Sequence, residues 1–475
     1  MKTPSHAKDD STSMKGARRL TAQIVMLGTL EFRRLSPFVW FIALAFAPTI
    51  LRAQQPRATS HRAQSDDANA SRERVNALLS EAVALLRAGK LAAAEPLIRR
   101  VINIAPHNVD AHNLLGTILD GRGQPAAAEG EFREALRLNP KSISARANLG
   151  VLLARTGRTR EAVEAFESVL NESPGHAQAT FNLGVALFRL KRLAEAARAL
   201  ESAARLAPAA HEPLYYLGLV ASERGESEAA VAYWQRALAL RRDFAEANFM
   251  IGEELKKHRR YEGAAEFYEL ALRQDASKLI YYIRLGGMYL LLVRHDQAGE
   301  IFRQAAARFP DVAEAHYFVG ITARAKAAYT VAEAAFRKSL ALQPENVDAL
   351  AQLGFILSER GNFAEAETTL RRATSLSDKH FYAYYDLGRL LMKTGRYEES
   401  LPLFRRGAAI KPDNAGVHYQ QFIALTRLKR KDEAERELAI FKRLEAAGKT
   451  RRRDADDIEN PDHSPPVAQP PAEQK

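Results

Sequence analysis

Histidines, hydroxyls and paired carboxylates are the side chains through which a chain of this size would do chemistry, and their spacing here supports none. The twelve histidines are scattered, with no His-Glu-x-x-His run and no pair at helical metal-ligand spacing backed by carboxylates. Neither a nucleophile elbow nor a dinucleotide-binding glycine loop occurs. Gly448-Lys-Thr450 imitates the end of a phosphate loop, but Arg443 stands where the first glycine belongs and a helical pattern precedes it instead of a strand. That segment reads as a helix stop followed by a basic tail. Cysteine is absent, which removes disulfides, thiolate metal sites and a lipid-bearing N-terminal cysteine without fixing the compartment. The sequence therefore predicts no catalytic residue, no metal site and no cofactor, and the flanks of the central region are too short and polar to hold a fused enzyme. The basic run Lys256-Lys-His-Arg-Arg260 leaves two readings, a solvated turn or a patch that attracts an acidic partner or a lipid headgroup.

With no reaction chemistry on offer, binding surfaces matter, and the elements that would position them repeat. From Val75 to Gly448 one pattern returns every 34 residues without insertion or deletion. Its clearest thread is Gly116, Gly150, Gly184, Gly218, Gly252, Gly286, Gly320, Gly354 and Gly388. A fixed period of this length means a solenoid. Twelve residues after each glycine comes a small residue, from Ala128 and Ala162 through Ala366 to Ser400. Four further on is a large one: Phe132, Phe166, Leu200, Trp234, Tyr268, Phe302, Phe336, Leu370 and Phe404. Within a unit, Leu115, Ile118 and Leu119, then Ala128, Phe132 and Leu136, recur at three-to-four spacing, which predicts two amphipathic helices. Gly123 between them can take positive φ and stop the first helix, as can Gly89, Gly157, Gly225, Gly361 and Gly395. The glycine inside the first helix costs about 1 kcal/mol against alanine, so it needs a packing reason. The expectation is close approach of the paired helix, with the small alanine facing it.

Proline closes many units, at Pro106, Pro140, Pro174, Pro208, Pro310, Pro344 and Pro412, and ends the preceding helix. Arg242, Ala276 and Asp378 replace it at three junctions, which predicts looser or differently angled joints there. Ala82 and Phe422 replace the glycine in the first and last units, as expected where a terminal repeat has one neighbour.

This pattern resembles the tetratricopeptide repeat, over eleven units and 374 of 475 residues. The resemblance implies an all-α fold, a right-handed superhelical solenoid of stacked antiparallel helix hairpins, with a concave groove lined mainly by the first helix of each pair. It also implies a non-enzymatic scaffold whose partner is a protein or peptide, held as an extended segment in the groove. The fifth residue of each unit would point into it: Leu79, Asn113, Ala147, Phe181, Tyr215, Phe249, Ile283, Tyr317, Ala351, Tyr385 and Tyr419. Basic residues Arg155, Arg189, Lys257, Lys393 and Arg427 would lie near the rim. Two readings of the aromatic stripe stand side by side. In one, partly exposed rings with basic edges anchor a peptide having apolar and acidic residues; in the other, the rings pack against their own neighbours. A chaperone-tail clamp is not supported, because no fifth position is lysine, and the asparagines are too sparse for an asparagine ladder.

Residues 1–37 are polar and basic and lead into Phe38-Val-Trp-Phe-Ile-Ala-Leu-Ala-Phe-Ala47. A run this short fits a signal-peptide core better than a membrane span. Arg33 and Arg34 give the positive flank, Leu51-Arg-Ala53 offers a cleavage site, and Met26 is an alternative start. Export to the periplasm or cell exterior is the expectation, with an N-terminal anchor through residues 38–50 as the alternative. Residues 54–74 read as a flexible linker, residues 75–448 as the array with its C-terminal cap helix, and residues 449–475, with five prolines from Pro461 to Pro471, as a disordered tail. Net charge is +12, and the first 53 residues carry eight basic and three acidic side chains. The remainder is a modest excess over a long surface, and no nucleic acid is expected. An envelope or polysaccharide-secretion assembly component, bridging membrane machinery, is the alternative function.

Overall fold

The computed structural model describes residues 62–459, and within them every regular element is an α-helix, 22 in all. From Leu91 to Arg427 the helices alternate in length. The first helix of a hairpin has 13 residues, as in Val109–Gly121, and the second has 14, as in Pro125–Leu138; Glu212–Glu223 is shorter at 12. The described chain forms two compact units, residues 62–275 and 276–459, each a stack of these antiparallel hairpins. The boundary falls at Ala276, one of the three junctions without proline.

Local chemistry explains where the helices start and stop. The side chains of Asn108, Asn346 and Asn414 accept from the amides of Ala111 at 2.9 Å, Ala349 at 2.9 Å and Val417 at 3.2 Å, satisfying donors that have no partner inside the helix. The imidazole Nδ1 atoms of His176 and His380 do the same for Ala179 and Ala383, both at 3.1 Å. Inside each hairpin the chain turns through one left-handed residue. Gly123 takes φ of 76° there, as its lack of a side chain allows. Five units place Lys191, Arg259, Val293, Ala327 and Lys429 at the same turn, with φ between 56° and 61°. Between hairpins, a side chain of the incoming helix often reaches back six residues to a junction carbonyl. His112 and His316 bind Pro106 O at 2.9 Å and Pro310 O at 2.8 Å, and Tyr282 Oη donates to Ala276 O at 3.4 Å. The other junctions lacking proline are also bridged: Gln274 Nε2 donates to Arg242 O at 2.9 Å, and Arg406 Nε to Asp378 O at 3.1 Å. Hydrogen bonds hold these joints, which corrects the expectation of looseness at Arg242 and Asp378.

The core of nine of the hairpins is the glycine and the large residue sixteen positions on. A Cβ added to Gly116 would sit 2.6 Å from the Phe132 ring, and one on Gly150 would sit 2.7 Å from the Phe166 ring. The other seven repeat glycines meet Leu200, Trp234, Tyr268, Phe302, Phe336, Leu370 and Phe404 in the same way. All nine large side chains are at most 2% exposed. The expected facing alanine is therefore corrected. The small residue is fully buried, but the glycine exists to seat a ring or a leucine flat on the first helix. Trp234 Nε1 spends its only donor on Tyr215 O at 3.1 Å, which is how an indole can occupy this position.

Both ends of the array differ from the sequence expectation. The first helix begins at Arg62 and runs to Arg87, through most of the stretch expected to be a linker. Nothing from Arg62 to Arg87 is glycine or proline, and alanine, arginine and glutamate favour helix. The last helix runs from Lys431 to Glu459, past the expected stop. Gly448 costs such a helix only about 1 kcal/mol, and no proline follows until Pro461. Gly448-Lys-Thr450 thus lies within a helix, not in a phosphate-binding loop. The apolar run 38–47, the possible cleavage site at Ala53, residues 54–61 and the proline-rich residues 460–475 lie outside the described residues.

Candidate functional site

In the unit spanning 62–275, the first helices Ala177–Arg189 and Glu212–Glu223 bound a cavity of about 540 Å³. Phe181, Val185, Pro213, Tyr215, Tyr216 and Phe244 supply its apolar walls. The rings touch edge-on or tilted: Phe181 to Tyr216 at 5.6 Å, Tyr216 to Tyr215 at 5.6 Å, Tyr215 to Phe244 at 5.0 Å, and Phe244 to His211 at 4.8 Å between centroids. Phe181 is half-buried, whereas Tyr215 is only 6% exposed yet still lines the cavity. Phe249, 5% exposed, instead packs on Tyr268 at 5.5 Å. Gln178 and Asn182 add amides, joined by a 3.2 Å hydrogen bond.

The charges of this cavity sit at different ends. Arg189 closes the C-terminal end of helix Ala177–Arg189 and donates through Nη1 to Ala154 O at 2.7 Å. Burial pushes its pKa below the ordinary guanidinium value, though it stays cationic at neutral pH. Burial likewise raises the Tyr216 phenol, while the nearby Arg189 charge opposes the rise. At the N-terminal end lie Glu212, Glu246, His211 and Arg241. Arg241 reaches Asp243 at 3.3 Å and the His211 ring at 3.4 Å, and burial lowers the His211 pKa.

In the unit spanning 276–459, Ile283 and Tyr317 are buried at 2% and 4% exposure. Tyr317 packs against Phe318 at 5.5 Å and Phe336 at 5.8 Å. Tyr385 is half-buried, stacked on Phe381 at 5.4 Å. Tyr419 is exposed and tilts over Phe441 at 5.0 Å. Nearby, Arg324 lies 4.3 Å over the Phe355 ring and bonds Gln352, with Arg389 5.8 Å from the same ring. Arg389 approaches Asp386 at 3.5 Å, a carboxyl whose pKa burial raises although Arg389 and Arg324 pull the other way. The expected continuous stripe is thus resolved residue by residue. Phe249, Ile283 and Tyr317 are packing residues, and Phe181, Tyr385 and Tyr419 present surface.

The basic rim is largely paired. Arg155 bonds Asp120; Lys257 bonds Glu254 at 2.7 Å and Ser222 Oγ at 2.9 Å; Lys393 bonds Glu359 at 2.9 Å. In the basic run at the Lys256 turn, Lys256 also pairs with Glu253 at 2.7 Å. Of the expected rim residues, Arg189 alone is in the cavity wall. Among the described residues, no cluster of His, Asp or Glu is placed to hold a metal, and no helix is long and apolar enough to cross a membrane.

Five two-hairpin stretches, residues 79–143, 147–211, 215–278, 289–347 and 353–415, match a family model described as tetratricopeptide repeat, and residues 335–368 match a second of the same description. The chain belongs to the tetratricopeptide repeat family. As a member it is a protein–protein interaction scaffold, in a family that is generally non-enzymatic. No curated protein matches it. Among solved structures, it is 25% identical to PilF of Pseudomonas aeruginosa, with a TM-score of 0.39, covering 42% of this chain and 92% of that one. It is also similar to the APC/C hetero-tetramer Cut9–Hcn1, at 13% identity and a TM-score of 0.40 over 78% of this chain and 94% of that one. Yeast Tom70 matches at 14% identity and a TM-score of 0.34, over 82% of this chain and 98% of that one.

Within this tetratricopeptide array, the site residues missed from sequence were Tyr216, Phe244 and His211. Tyr216 stands at the sixth position of its unit, directly after Tyr215, so an aromatic neighbour of an expected groove residue was a usable signal. His211 and Phe244 lie just before helices, and no periodicity marks them. Asn113 and Asn148, by contrast, satisfy each other across hairpins at 3.0 Å, one rung and not a ladder.

Proposed function

We propose that this tetratricopeptide chain holds an extended segment of a partner protein against the first helices of its 62–275 unit, and that it does so after export. The observation carrying the proposal is the cavity at Phe181, Val185, Tyr215 and Tyr216. It is concave, mostly apolar and edged by a few polar groups, the usual makeup of a recognition pocket. Its walls are preset by helix packing, so binding loses little entropy on the scaffold's side. Export rests on the apolar run Phe38 to Ala47 behind Arg33 and Arg34.

Panning a phage-displayed peptide library on the full chain tests the binding reading. Selected peptides should lose most of their affinity for a Phe181→Ala, Val185→Ala double variant whose helicity is unchanged. Peptides retained equally by that variant, or a library yielding none, would overturn it. A phosphatase fused after Ala53 should be active only when exported; an inactive fusion sinks that half.

A further inference from the structure

Successive helices joined by turns of three to five residues run antiparallel, so the two first helices Ala177–Arg189 and Glu212–Glu223 run the same way. The cavity between them therefore has direction. Gln178, Glu212 and Glu246 mark its N-terminal end, Arg189 marks its C-terminal end, and Phe181, Val185, Tyr215 and Tyr216 fill the interval. From Gln178 to Arg189 the helix rises about 16 Å, at 1.5 Å per residue, a distance that about five residues of extended chain would span.

The C-terminal end is chemically specific. Arg189 offers a fork of donors, one already given to Ala154 O. The Tyr216 ring touches Phe181 at 5.6 Å and Phe188 at 6.2 Å, yet its hydroxyl has no hydrogen-bond partner among the described residues. A donor of this kind next to a guanidinium favours an anionic acceptor, and charge-assisted bonds are the stronger ones in a partly desolvated site. At the opposite end Glu212 and Glu246 repel a carboxylate and Arg241 is engaged by Asp243 at 3.3 Å, so the acidic group of a ligand is favoured at the Arg189 end.

Resting on the reading of this cavity as a peptide site, we propose that it selects an extended segment of about five residues in which a large apolar side chain precedes or follows an acidic one. The apolar group packs on Phe181, Val185 and Tyr216, and the carboxylate lies at the Arg189 end, held by Arg189 and the Tyr216 hydroxyl. Arg189 and Tyr216 are thus specificity residues. Nothing in this arrangement uses the lysine-and-asparagine clamp that the sequence already fails to supply.

The test titrates three blocked pentapeptides against the full chain by NMR: acetyl-Ala-Phe-Ala-Glu-Ala-amide, the same peptide with glutamine for glutamate, and the same peptide with alanine for phenylalanine. The glutamate peptide should bind at least about fivefold tighter than the glutamine peptide, equivalent to about 1 kcal/mol, and the preference should shrink at high salt. Tyr216→Phe should reduce that preference and Arg189→Gln should abolish it, each read as the ratio of the glutamate-peptide to glutamine-peptide affinity within the same variant. Should Arg189→Gln fail to fold, the near-isosteric Tyr216→Phe variant still decides. Equal affinity for the glutamate and glutamine peptides would overturn the anionic assignment and leave the apolar site standing. Absence of saturable binding by either phenylalanine peptide would overturn the peptide-site reading as well.

Discussion

At the scale of single residues, the repeat tolerates side chains that its geometry disfavours. The turn inside each hairpin requires a left-handed residue, and a β-branched side chain is the worst suited to it. Val293 nevertheless sits there at φ of 59° and is 49% exposed. Its side chain therefore contributes little burial to offset the strain. Six units fill the same place with glycine. Val293→Gly should stabilise the protein by about 0.5–1 kcal/mol, the relief of left-handed strain less the extra freedom glycine gives the unfolded chain. A higher urea midpoint with unchanged helicity is the expected result; a lower one would show that the turn depends on the valine contacts. The glycines of this turn were readable as positive-φ sites because glycine announces the conformation. The five other residues were not, because neighbours impose the turn on them.

At the scale of the element, hairpins are joined by side chains that cross the junction. His112 faces two acceptors, Glu131 Oε2 at 2.7 Å from Nδ1 and Pro106 O at 2.9 Å from Nε2. A neutral imidazole has one donor and satisfies only one of them, whereas imidazolium satisfies both. Burial disfavours that charge, but the hydrogen bonds to Glu131 and Pro106 outweigh it, and the pKa is raised. A raised folded-state pKa gives stability that is fully present below the unfolded value, about 6.5, and is lost as pH rises through the folded value. His112→Gln should therefore destabilise by about 1–2 kcal/mol at pH 5.5 and by less at pH 8.5, measured as the difference between variant and wild-type urea midpoints. An equal deficit at both pH values would mean that the neutral ring does the same work. The hairpins themselves were legible from the 34-residue period. Their junction bonds were not, since nothing in the spacing says that the residue six positions after proline reaches back to its carbonyl. The same limit governs the candidate site: Phe181 and Tyr215 were visible by register, while the rings that cover them, Tyr216 on Phe181 and Phe244 on Tyr215, come from outside the helix that carries each.

At the scale of the whole molecule, a repeat array is stabilised by each hairpin and by its contacts with immediate neighbours, with no single shared core. The packing fits this description: the main helix contacts join elements one or two places apart along the chain. Nine of the eleven hairpins also contain their own buried glycine with a large side chain seated on it, so damage to one should remain local. Gly150→Leu places a branched side chain where a single Cβ would already stand 2.7 Å from the Phe166 ring, a residue only 1% exposed. With no room for either group, the cost should reach about 1–3 kcal/mol or more. Hydrogen exchange should then show lost protection in Ile143–Arg155 and Thr159–Glu172 and partial loss in the flanking helices. Phe381–Lys393 and Tyr397–Ile410, far along the chain, should exchange as in the wild type. Uniform loss of protection through both units would mean that the array opens as one cooperative body, because interfaces between hairpins would then outweigh the hairpins themselves. The local outcome would let the cavity at Phe181 open while the 276–459 unit stays folded, as expected where stability is divided among separate cooperative segments.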